Sequence, residues 1–157
     1  MINRPTVRAA VMADLEALVA GNAALAEESE RIRLDIDTLR QGILALLESR
    51  APGRYFVAEE NGRLVGQLLT TYEWSDWRNG MVWWVQSVYV VPDARKRGVL
   101  RTLYDVARRE ALAAGACGLR LYVDTTNTRA QAAYTKLGMT SDHYRVFEDM
   151  FWRLPRG

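Results

Sequence analysis

Apolar and polar residues alternate along parts of the chain and recur at helical spacing in others. Runs rich in β-branched and aromatic residues, which favour strands, lie at 6–9, 55–59, 64–72, 83–91 and 118–123. A looser alternation predicts a last strand at 143–150. Apolar residues recur with the helical period after Asp14 and in 38–47, 99–112 and 127–137. The order β-α-α-β-β-β-α-β-α-β predicts an α/β fold of the α+β type, with a mixed sheet and helices on both faces.

Local signals mark the boundaries of these elements. Asn61-Gly62 is a two-residue hairpin signal between two of the strands. A capping-box pattern begins at Thr38 and predicts the start of a helix. The first helix is expected to fade near Gly21, and 23–36 is compatible with a second helical turn or with a loop over the site.

Length and composition restrict the class of protein. With 157 residues and 49% hydrophobic content, the chain can build one core, and we expect a single domain over 1–157. No apolar run approaches the ~18 residues that span a bilayer. Charged residues among the first sixteen do not fit a signal peptide, so cytoplasm is the default location. One cysteine excludes an internal disulfide and a multi-cysteine metal site, and we expect no metal.

The distribution of charge says more than the net charge of +2, which does not suit a nucleic-acid binder. The stretch 93–109 contains six basic residues and only two acidic ones, Asp93 and Asp105. Five acidic residues cluster nearer the N-terminus, namely Glu27, Glu28, Glu30, Asp35 and Asp37. The two groups are compatible with two solvated faces. They are also compatible with an anionic cofactor at one end and a cationic substrate at the other.

The strand at 83–91 leads through a basic turn into the helix of 99–112. Pro92 ends the strand, because proline has no N–H for a sheet ladder. The turn that follows holds Arg95, Lys96, Arg97 and Gly98. Free backbone N–H groups and the positive end of the helix dipole meet there, so the segment predicts an anion site that suits a diphosphate. The glycine patterns G-x-x-x-x-G-K-[ST] and G-x-G-x-x-G of nucleotide-binding loops do not occur in the sequence.

The turn and the helix start read R-x-x-G-x-x, from Arg95 to Leu100, directly after a V-Y-V-x-P strand. This segment resembles the pyrophosphate loop of the GCN5-related N-acetyltransferases (GNAT), which bind acetyl-CoA. Leu100 departs from the glycine or alanine that is usual in that family. A non-glycine residue is acceptable there if the position is already helical, and Leu100 also begins the apolar stripe of the helix.

A second segment resembles the same family. The stretch from Asn127 to Met139 is closely similar to the acetyltransferase pattern N-x-x-A-x-x-x-Y-x-x-x-G-F and follows the first motif in the expected order. Asn127 and Tyr134 are almost two helical turns apart, so they lie on the same side of one helix, and Asn127 can cap it. Tyr134 is also compatible with a purely apolar stripe. The resemblance covers 55–139 and implies a GNAT-like, mostly antiparallel sheet of six to seven strands.

The resemblance also implies how acetyl-CoA would be bound. Val88, Tyr89 and Val90 on the strand would lend backbone groups to the pantetheine arm, and Asn127 would hydrogen-bond to that arm. The pyrophosphate would be held by the loop amides of Arg95, Lys96, Arg97, Gly98, Val99, Leu100 and Arg101. Tyr134 would approach the thioester sulfur.

Acetyl transfer to an amine requires a neutral amine, a donor for the carbonyl oxygen and protonation of the leaving thiolate. Deprotonating an alkyl ammonium at pH 7 costs about 4–5 kcal/mol, so a base or a water chain must take the proton. The backbone N–H of Val88 is the candidate oxyanion donor. The hydroxyl of Tyr134 is the candidate donor to the sulfur.

The general base has several candidates. Many relatives carry a glutamate on the central strand near the position of Gln86, and glutamine cannot act as a base. Glu73 and Asp76 are the nearest carboxylates in sequence. Glu27, Glu28 and Glu30 are alternatives if their segment folds over the cleft. Each of these is also compatible with a solvated surface charge, and an ordered water could serve instead.

The aromatic and acidic stretch 72–77, together with Trp83 and Trp84, predicts a pocket for the acceptor amine. Tryptophan rings and carboxylates together suit a cation, although the tryptophans are also compatible with core and sheet packing alone. The spacing of 24–30, the helix at 38–47 and this stretch is faintly similar to that of the polyamine acetyltransferases, which implies a polyamine as one candidate amine. The candidate substrate residues are Glu27, Glu28, Trp74, Asp76, Trp84 and Gln86.

Together these features predict an acetyl-CoA-dependent N-acetyltransferase that acts by direct transfer on a primary amine of a small molecule. The alternatives are a non-catalytic CoA-binding or regulatory domain, a protein or peptide amine acetyltransferase, and a module that binds nucleic acid or a partner through 95–109. We expect no nucleic-acid and no membrane partner. The aromatic residues Phe147, Phe151 and Trp152 are compatible with a core or with a homodimer interface.

Overall fold

One sheet, whose strands lie in chain order, carries the fold. The computed structural model describes residues 4–154, and within them five strands and four α-helices are formed. The strands are β1 (Thr6–Ala9), β2 (Arg54–Glu60), β3 (Arg63–Ser75), β4 (Gly80–Val90) and β5 (Gly118–Arg120). The helices are α1 (Leu15–Glu30), α2 (Ile36–Leu47), α3 (Val99–Ala113) and α4 (Thr128–Lys136). Single 3₁₀ turns lie at Met12–Asp14 and Pro92–Ala94.

The sheet is mixed and mostly antiparallel, as predicted. Strands β1 to β4 pair antiparallel, whereas β5 pairs parallel with β4. A parallel neighbour needs a long crossover connection, and α3 supplies it. The β2–β3 turn lies at Asn61 and Gly62, whose φ angles of 51° and 75° are those of the tight hairpin expected from the sequence.

The prediction of six to seven strands is wrong, because the described residues form five. β5 ends at Arg120, which pairs with Trp84, and 121–123 do not continue the ladder. The segment 143–150 forms no helix or strand and is exposed throughout. A run with strand-like composition becomes a strand only when a neighbour supplies its hydrogen bonds, and within residues 4–154 neither segment has one.

Helices cover both faces of the sheet, as predicted. Successive side chains of a strand point to opposite faces. Tyr55 and Val57 of β2 pack with Leu18, Val19 and Ile43 from α1 and α2. The alternate β2 residues, Phe56 and Ala58, pack with Val99, Leu103 and Ala107 of α3. The sheet therefore has an α1–α2 face and an α3 face, and the candidate functional residues are assigned to one or the other below.

The N-terminal helices differ from the sequence prediction. α1 does not fade at Gly21 but continues to Glu30, so most of 23–36 is helical. A Cβ at Gly21 would lie 2.2 Å from Gln67 Oε1, so this glycine lets the helix approach the sheet closely instead of ending it. The expected capping box at Thr38 is wrong: α2 is capped by Asp35, whose side chain accepts a hydrogen bond from the Thr38 N–H at 2.8 Å.

The aromatic stretch before the central strand is mostly strand. β3 extends to Ser75 and β4 begins at Gly80, so the connecting turn is short, and Asn79 takes a φ of 49° in it. Strand alternation therefore distributes Trp74, Trp83 and Trp84 over the two faces of the sheet, whereas Trp77 lies in the turn. In the part of the chain that the structure describes, no helix combines the length and apolarity that crossing a membrane requires.

Candidate active site

A β-bulge interrupts the central strand β4. While β3 advances by two residues, from Gln67 to Leu69, β4 advances by three, from Tyr89 back to Gln86. Ser87, inside this interval, has a φ of 50°, in the left-handed region that a residue with a side chain rarely adopts. A bulge bends its strand and changes the direction of the residues that follow it. The residue that directly follows Ser87 is Val88, the candidate oxyanion donor.

Buried polar side chains hold the bulge in place. Gln67 donates from Nε2 to the carbonyl oxygen of Ser87 at 3.1 Å. The hydroxyl of Tyr55 hydrogen-bonds with the side chain of Ser87 and accepts from Asn22 Nδ2 at 3.1 Å. Burial raises the pKa of Tyr55, so its hydroxyl stays protonated. Because an unpaired buried polar group is costly, these contacts keep Ser87 in its unusual conformation.

This polar set, formed by Asn22, Tyr55 and Gln67, was not predicted from the sequence. Asn22 and Gln67 are both less than a tenth exposed although their side chains are polar. Each one interrupts an otherwise apolar face, Asn22 after Leu18 on α1 and Gln67 beside Leu69 on β3. A polar residue at a position that the pattern assigns to the core was the available signal.

The edge of β4 is open beyond the bulge. The last β4–β5 pair joins Trp84 and Arg120. From Gln86 to Val90, β4 pairs with β3 on one side, and on the other side no strand of residues 4–154 pairs with it. Such an edge presents backbone N–H and C=O groups to an extended ligand. Val88, Tyr89 and Val90, the candidate pantetheine contacts, all lie on it.

The basic turn after β4 ends in an uncapped helix N-terminus. Lys96 and Gly98 have φ angles of 61° and 84°, so the backbone adopts the left-handed conformation at two positions of the turn. Gly98 is the N-cap of α3 and has no side chain to offer, and the first helical bond runs from the Thr102 N–H to the Gly98 carbonyl. The N–H groups of the first turn, from Val99 to Arg101, are therefore available to an anion.

Leu100 fits this arrangement. It lies inside α3 and not in the turn, so its position has helical backbone and no need for glycine. Its side chain is half-buried. The departure from the family pattern therefore leaves the backbone of the turn unchanged, and the positive φ falls on Gly98.

Two of the basic side chains in the turn are already paired. Arg95 donates to Glu28 Oε2 at 2.6 Å and to the carbonyl oxygen of Val90 at 2.8 Å. Arg97 lies 2.8 Å from Glu60 Oε2. These ion pairs fix the shape of the turn and neutralise part of its charge. Backbone N–H groups and the exposed side chain of Lys96 are then the main groups that the turn offers to an anion.

Asn127 and Tyr134 both belong to α4. Asn127 caps the helix, since its Oδ1 accepts from the Ala130 N–H at 3.0 Å. Tyr134 is half-buried, and desolvation raises its pKa above the ordinary value of 10. Arg101 donates to the carbonyl oxygen of Lys136 at 3.0 Å and so ties the end of α4 to the start of α3. The two sequence motifs are thus in direct contact.

Two of the candidate substrate residues, Gln86 and Trp84, share the α1–α2 face of the sheet with the candidate base Glu73. Gln86 lies opposite Leu69, and its Nε2 donates a short hydrogen bond to Thr71 Oγ1. Trp84 is on the same face, and its ring centroid is 6.1 Å from that of Tyr122. Glu73 follows Thr71 with the period of two that keeps it on this face.

Glu73 is not a free carboxylate. Its Oε2 accepts from Arg120 Nη1 at 2.6 Å, and both side chains are partly exposed. The guanidinium of Arg120 also lies 5.5 Å from the ring centroid of Tyr144. Arg120 was not among the residues predicted from the sequence. Its pairing partner is 47 positions away in the chain, so no local pattern marks it.

The structure does not bring the other candidate substrate residues to the group formed by Trp84, Gln86 and Glu73. Alternation along β3 puts Trp74 on the opposite face, the one that carries α3, where it pairs with Met81. Asp76 lies in the β3–β4 turn and accepts from the Trp77 N–H at 2.9 Å. Glu27 is exposed on α1. Glu28 binds Arg95 and also accepts from the Tyr89 hydroxyl at 3.1 Å, so it contacts the basic turn and the end of β4 instead.

A cavity of about 340 Å³ lies between α1 and the bulged part of the sheet. Its walls include Gly21, Ala24, Gln67 and Tyr89. It adjoins the residues that hold the bulge and thus offers space on the α1–α2 side of β4. Across residues 4–154 there is no group of three or more His, Cys, Asp or Glu side chains that could hold a metal ion.

Comparisons with known proteins agree with this geometry. The sequence model of the Acetyltransferase (GNAT) family matches residues 20–139. A solved structure of a possible acetyltransferase from Clostridium difficile 630 is 36% identical, with a TM-score of 0.86 over 96% of this chain and 100% of that chain. A search of proteins with curated function gave no match.

Two less similar solved structures share the fold. A predicted acetyltransferase with acetyl-CoA from Clostridium acetobutylicum is 18% identical, with a TM-score of 0.75 over 92% of this chain and 96% of that chain. AAC(6')-Iy, in complex with the bisubstrate analogue CoA-S-monomethyl-acetylneamine, is 20% identical, with a TM-score of 0.75 over 94% of this chain and 99% of that chain. Since the family model spans well over half of the sequence and a 36% identical structure aligns along nearly all of it, this protein belongs to the GNAT acetyltransferase family.

Proposed function

We propose that this protein is a single-domain N-acetyltransferase that moves an acetyl group from acetyl-CoA directly to a primary amine of a small molecule. The observation that carries the proposal is the bulge at Ser87, which lies on the strand that leads into the uncapped N-terminus of α3. A donor for a carbonyl oxygen and a site for a diphosphate are thereby joined by one short stretch of backbone.

The residues present fit acetyl-CoA. The first-turn N–H groups of α3 and the helix dipole suit its pyrophosphate, and Gly98 leaves open space beside them, since a Cβ there would meet nothing within 4 Å. The open edge of Val88 to Val90 suits the amide groups of the pantetheine arm, and Asn127 would bind the same arm from α4. When bound, acetyl-CoA supplies an activated acyl thioester.

The N–H of Val88 serves as the oxyanion donor in this proposal. Negative charge develops on the acyl oxygen in the transition state, and a donor whose position is fixed in advance stabilises that charge without reorganising. Gln67 and Tyr55 fix the neighbouring Ser87 through buried hydrogen bonds. They are positioning residues, since they act through the backbone of the bulge.

The hydroxyl of Tyr134 serves as the donor to the departing sulfur. Its pKa is raised by burial, so the phenol remains protonated at neutral pH and has a proton to give. Asn127 positions it indirectly by capping α4.

Removal of the proton from the amine falls to an ordered water, and Glu73 holds the amine in position. Gln86 stands on the face of the acceptor pocket and can accept a hydrogen bond from an amine, but it cannot take the proton. Glu73 carries a carboxylate on that face, its ion pair with Arg120 holds the side chain in place, and a carboxylate attracts an ammonium. We propose that Glu73 orients the amine and that an ordered water carries the proton away.

The test follows thiol release from acetyl-CoA across a panel of amines, for the wild type and for Tyr134→Phe. The panel contains polyamines, amino acids, aminoglycosides and peptide N-termini. We expect one class of small amine to be turned over, with the rate lost in the variant and acetyl-CoA binding, measured by calorimetry, retained. Turnover of peptide N-termini alone would redirect the proposal to a protein acceptor.

A second candidate function is a non-catalytic CoA-binding domain. It is favoured by the glutamine at position 86 and by the ion pair that engages Glu73. It predicts acetyl-CoA binding without amine-dependent thiol release for every amine in the panel. The same experiment therefore separates the two functions.

A further inference from the structure

The cavity of about 340 Å³ between α1 and the sheet, called the α1 cavity below, has no part in the proposed chemistry. Its walls include Tyr89 and Val91, which follow the bulge at Ser87 along the chain. Trp84 and Gln86 of the acceptor face precede the bulge. The α1 cavity is therefore a separate space on the other side of the bulge from the proposed acceptor site.

Small side chains on the helix keep the α1 cavity open. The helix wall consists of Leu18 and four residues whose side chains extend no further than a Cβ, namely Ala17, Ala20, Gly21 and Ala24. The sheet side contributes Leu64, Gly66, Gln67, Tyr89 and Val91. None of the described residues that line the cavity is charged. These walls suit an uncharged and largely apolar occupant.

A buried amide presents one free acceptor to the α1 cavity. Gln67 is 4% exposed, and its Nε2 donates to the carbonyl oxygen of Ser87. Its Oε1 lies over Gly21, where a Cβ would be 2.2 Å away, and no group within residues 4–154 donates to this oxygen. Every fully enclosed side-chain nitrogen or oxygen of the described residues has a partner, so the oxygen must reach accessible space. That space is the α1 cavity, which Gln67 and Gly21 both line.

The volume of the α1 cavity sets the size of its occupant. An apolar cavity of about 150 Å³ is enough to hold benzene. The α1 cavity, at about 340 Å³, has room for a molecule of two fused rings. Tyr89 gives it one aromatic wall, and the Tyr89 hydroxyl is held by Glu28 at 3.1 Å.

We propose that the α1 cavity binds an uncharged bicyclic aromatic molecule that carries one N–H or O–H donor and directs it to Gln67 Oε1. Indole is the simplest molecule of this class. Its rings would lie between the alanines of α1 and Tyr89, and its N–H would complete the hydrogen bonding of the buried amide. This inference does not depend on the proposed acetyl transfer.

Such a ligand acts on the bulge through Gln67. The Nε2 of the same amide holds the Ser87 carbonyl, so a ligand that binds Oε1 fixes the group that maintains the bulge. Tyr89 leads to a second contact, since it donates to Glu28, which binds Arg95 of the basic turn. An occupied α1 cavity therefore has a more rigid β4 beside it and serves as an effector site.

The first experiment titrates the full chain with indole and with benzofuran in a calorimeter. Benzofuran has the same two rings and no N–H, so it cannot donate to Gln67 Oε1. We expect a Kd for indole on the order of 0.1–1 mM, given the limited binding energy of so small a ligand. Benzofuran should bind about 2–10-fold more weakly, because one hydrogen bond is missing. No binding of indole, or equal affinities for the two molecules, would overturn the proposal.

Two variants locate the binding site. Ala24→Leu places a larger side chain inside the α1 cavity, and Ala20→Leu does so from an exposed position that leaves the core unchanged. Ala132→Leu is the matched control, because Ala132 is an exposed alanine within α4. Circular dichroism verifies the fold of each variant. Indole should bind at least about tenfold more weakly to both α1 variants and normally to the control. Unchanged binding to a folded α1 variant would place the ligand elsewhere.

Amide hydrogen exchange tests the effect on the bulge. In the wild type, saturating indole should slow the exchange of amides in 86–91, and in Ala20→Leu it should leave their exchange unchanged. Slower exchange confined to 71–73 and 118–122 would assign indole to the acceptor face and contradict the proposal. Binding at the α1 cavity without any change in 86–91 would contradict its role as an effector site.

Discussion

The side-chain amide of Gln67 donates a 3.1 Å hydrogen bond to the carbonyl oxygen of Ser87, the residue that forms the bulge of the central strand. The donor is 4% exposed, and the bond spans 20 positions of the chain. Together with Tyr55 it holds a left-handed residue inside a strand, where such a conformation costs on the order of 1–3 kcal/mol. The shape of the proposed oxyanion site is therefore maintained from the neighbouring strand.

Replacing Gln67 with leucine should weaken both stability and catalysis. The change leaves the partly buried Ser87 carbonyl without its hydrogen-bond partner, so we expect the free energy of unfolding to fall by about 1–3 kcal/mol. Because the bulge orients the Val88 N–H, kcat should fall while KM for acetyl-CoA changes little. Urea denaturation and steady-state kinetics measure the two effects. Gln41→Leu is the control, since Gln41 is exposed on α2. If Gln67→Leu kept full kcat at the reduced stability, Gln67 would have a structural role only.

Replacing Gly98 with alanine should weaken acetyl-CoA binding. Gly98 has a φ of 84°, which costs an alanine roughly 1–2 kcal/mol. The turn would relax and move the first-turn N–H groups of α3, so we expect the Kd for acetyl-CoA to rise about tenfold, the equivalent of ~1.4 kcal/mol. Calorimetric titration measures it.

Gly42→Ala is the matched control for that experiment. Gly42 lies inside α2, and a Cβ there would meet nothing within 4 Å. Alanine should stabilise the helix by roughly 0.5–1 kcal/mol and leave the Kd unchanged. Equal effects of the two substitutions on binding would remove Gly98 from the proposed phosphate site.

Replacing Tyr134 with phenylalanine should lower kcat by about 10²-fold, the lower end of the range for proton transfer by a positioned group. Burial raises the pKa of Tyr134 above 10, so the protonated form persists through neutral pH. We therefore expect no fall in kcat from ionisation of this hydroxyl below pH 10. A pH–rate profile checks this expectation. Tyr72→Phe, on the opposite face beside Trp83, should behave like the wild type.

The stability of the protein should depend on Asp14 at low pH. The hydrogen bond from Arg8 to the carboxylate, at 2.8 Å, lowers the pKa of Asp14 below its ordinary value of 3.8. Because the pKa of Asp14 is lower in the folded state than in the unfolded state, its carboxylate stabilises the fold fully at any pH above the unfolded-state pKa. This stabilisation is lost as the pH falls through the folded-state pKa. The free energy of unfolding should thus decline below about pH 4.

Asp14→Asn tests this assignment, because an amide cannot titrate in this range. The variant should be less stable than the wild type at pH 7, and the difference between the two should shrink as the pH is lowered toward 2. Thermal denaturation at a series of pH values measures the difference. A constant difference across that series would assign the acid sensitivity to other carboxylates.

Features encoded by neighbouring residues could be read from the sequence. The Asn61-Gly62 hairpin, the turn at Gly98 and the cap at Asn127 all depend on the conformational preferences of a few adjacent residues. These local features also carry the family resemblance, so the two motifs and the order of the elements were predicted together.

Features that depend on distant residues were decided only by the tertiary structure. The length of β5 depends on how far β4 pairs with it. Gly21 lies inside α1, where the close approach of Gln67 leaves no room for a side chain. Glu73 has a counter-ion only because β5 brings Arg120 to it. Single-chain patterns contain propensities and spacings, and they do not contain the pairing of strands. The sequence by itself therefore determined the turn at Gly98, the cap at Asn127 and the family. The bulge at Ser87, the composition of the acceptor face and the α1 cavity arose from contacts between segments that are far apart along the chain.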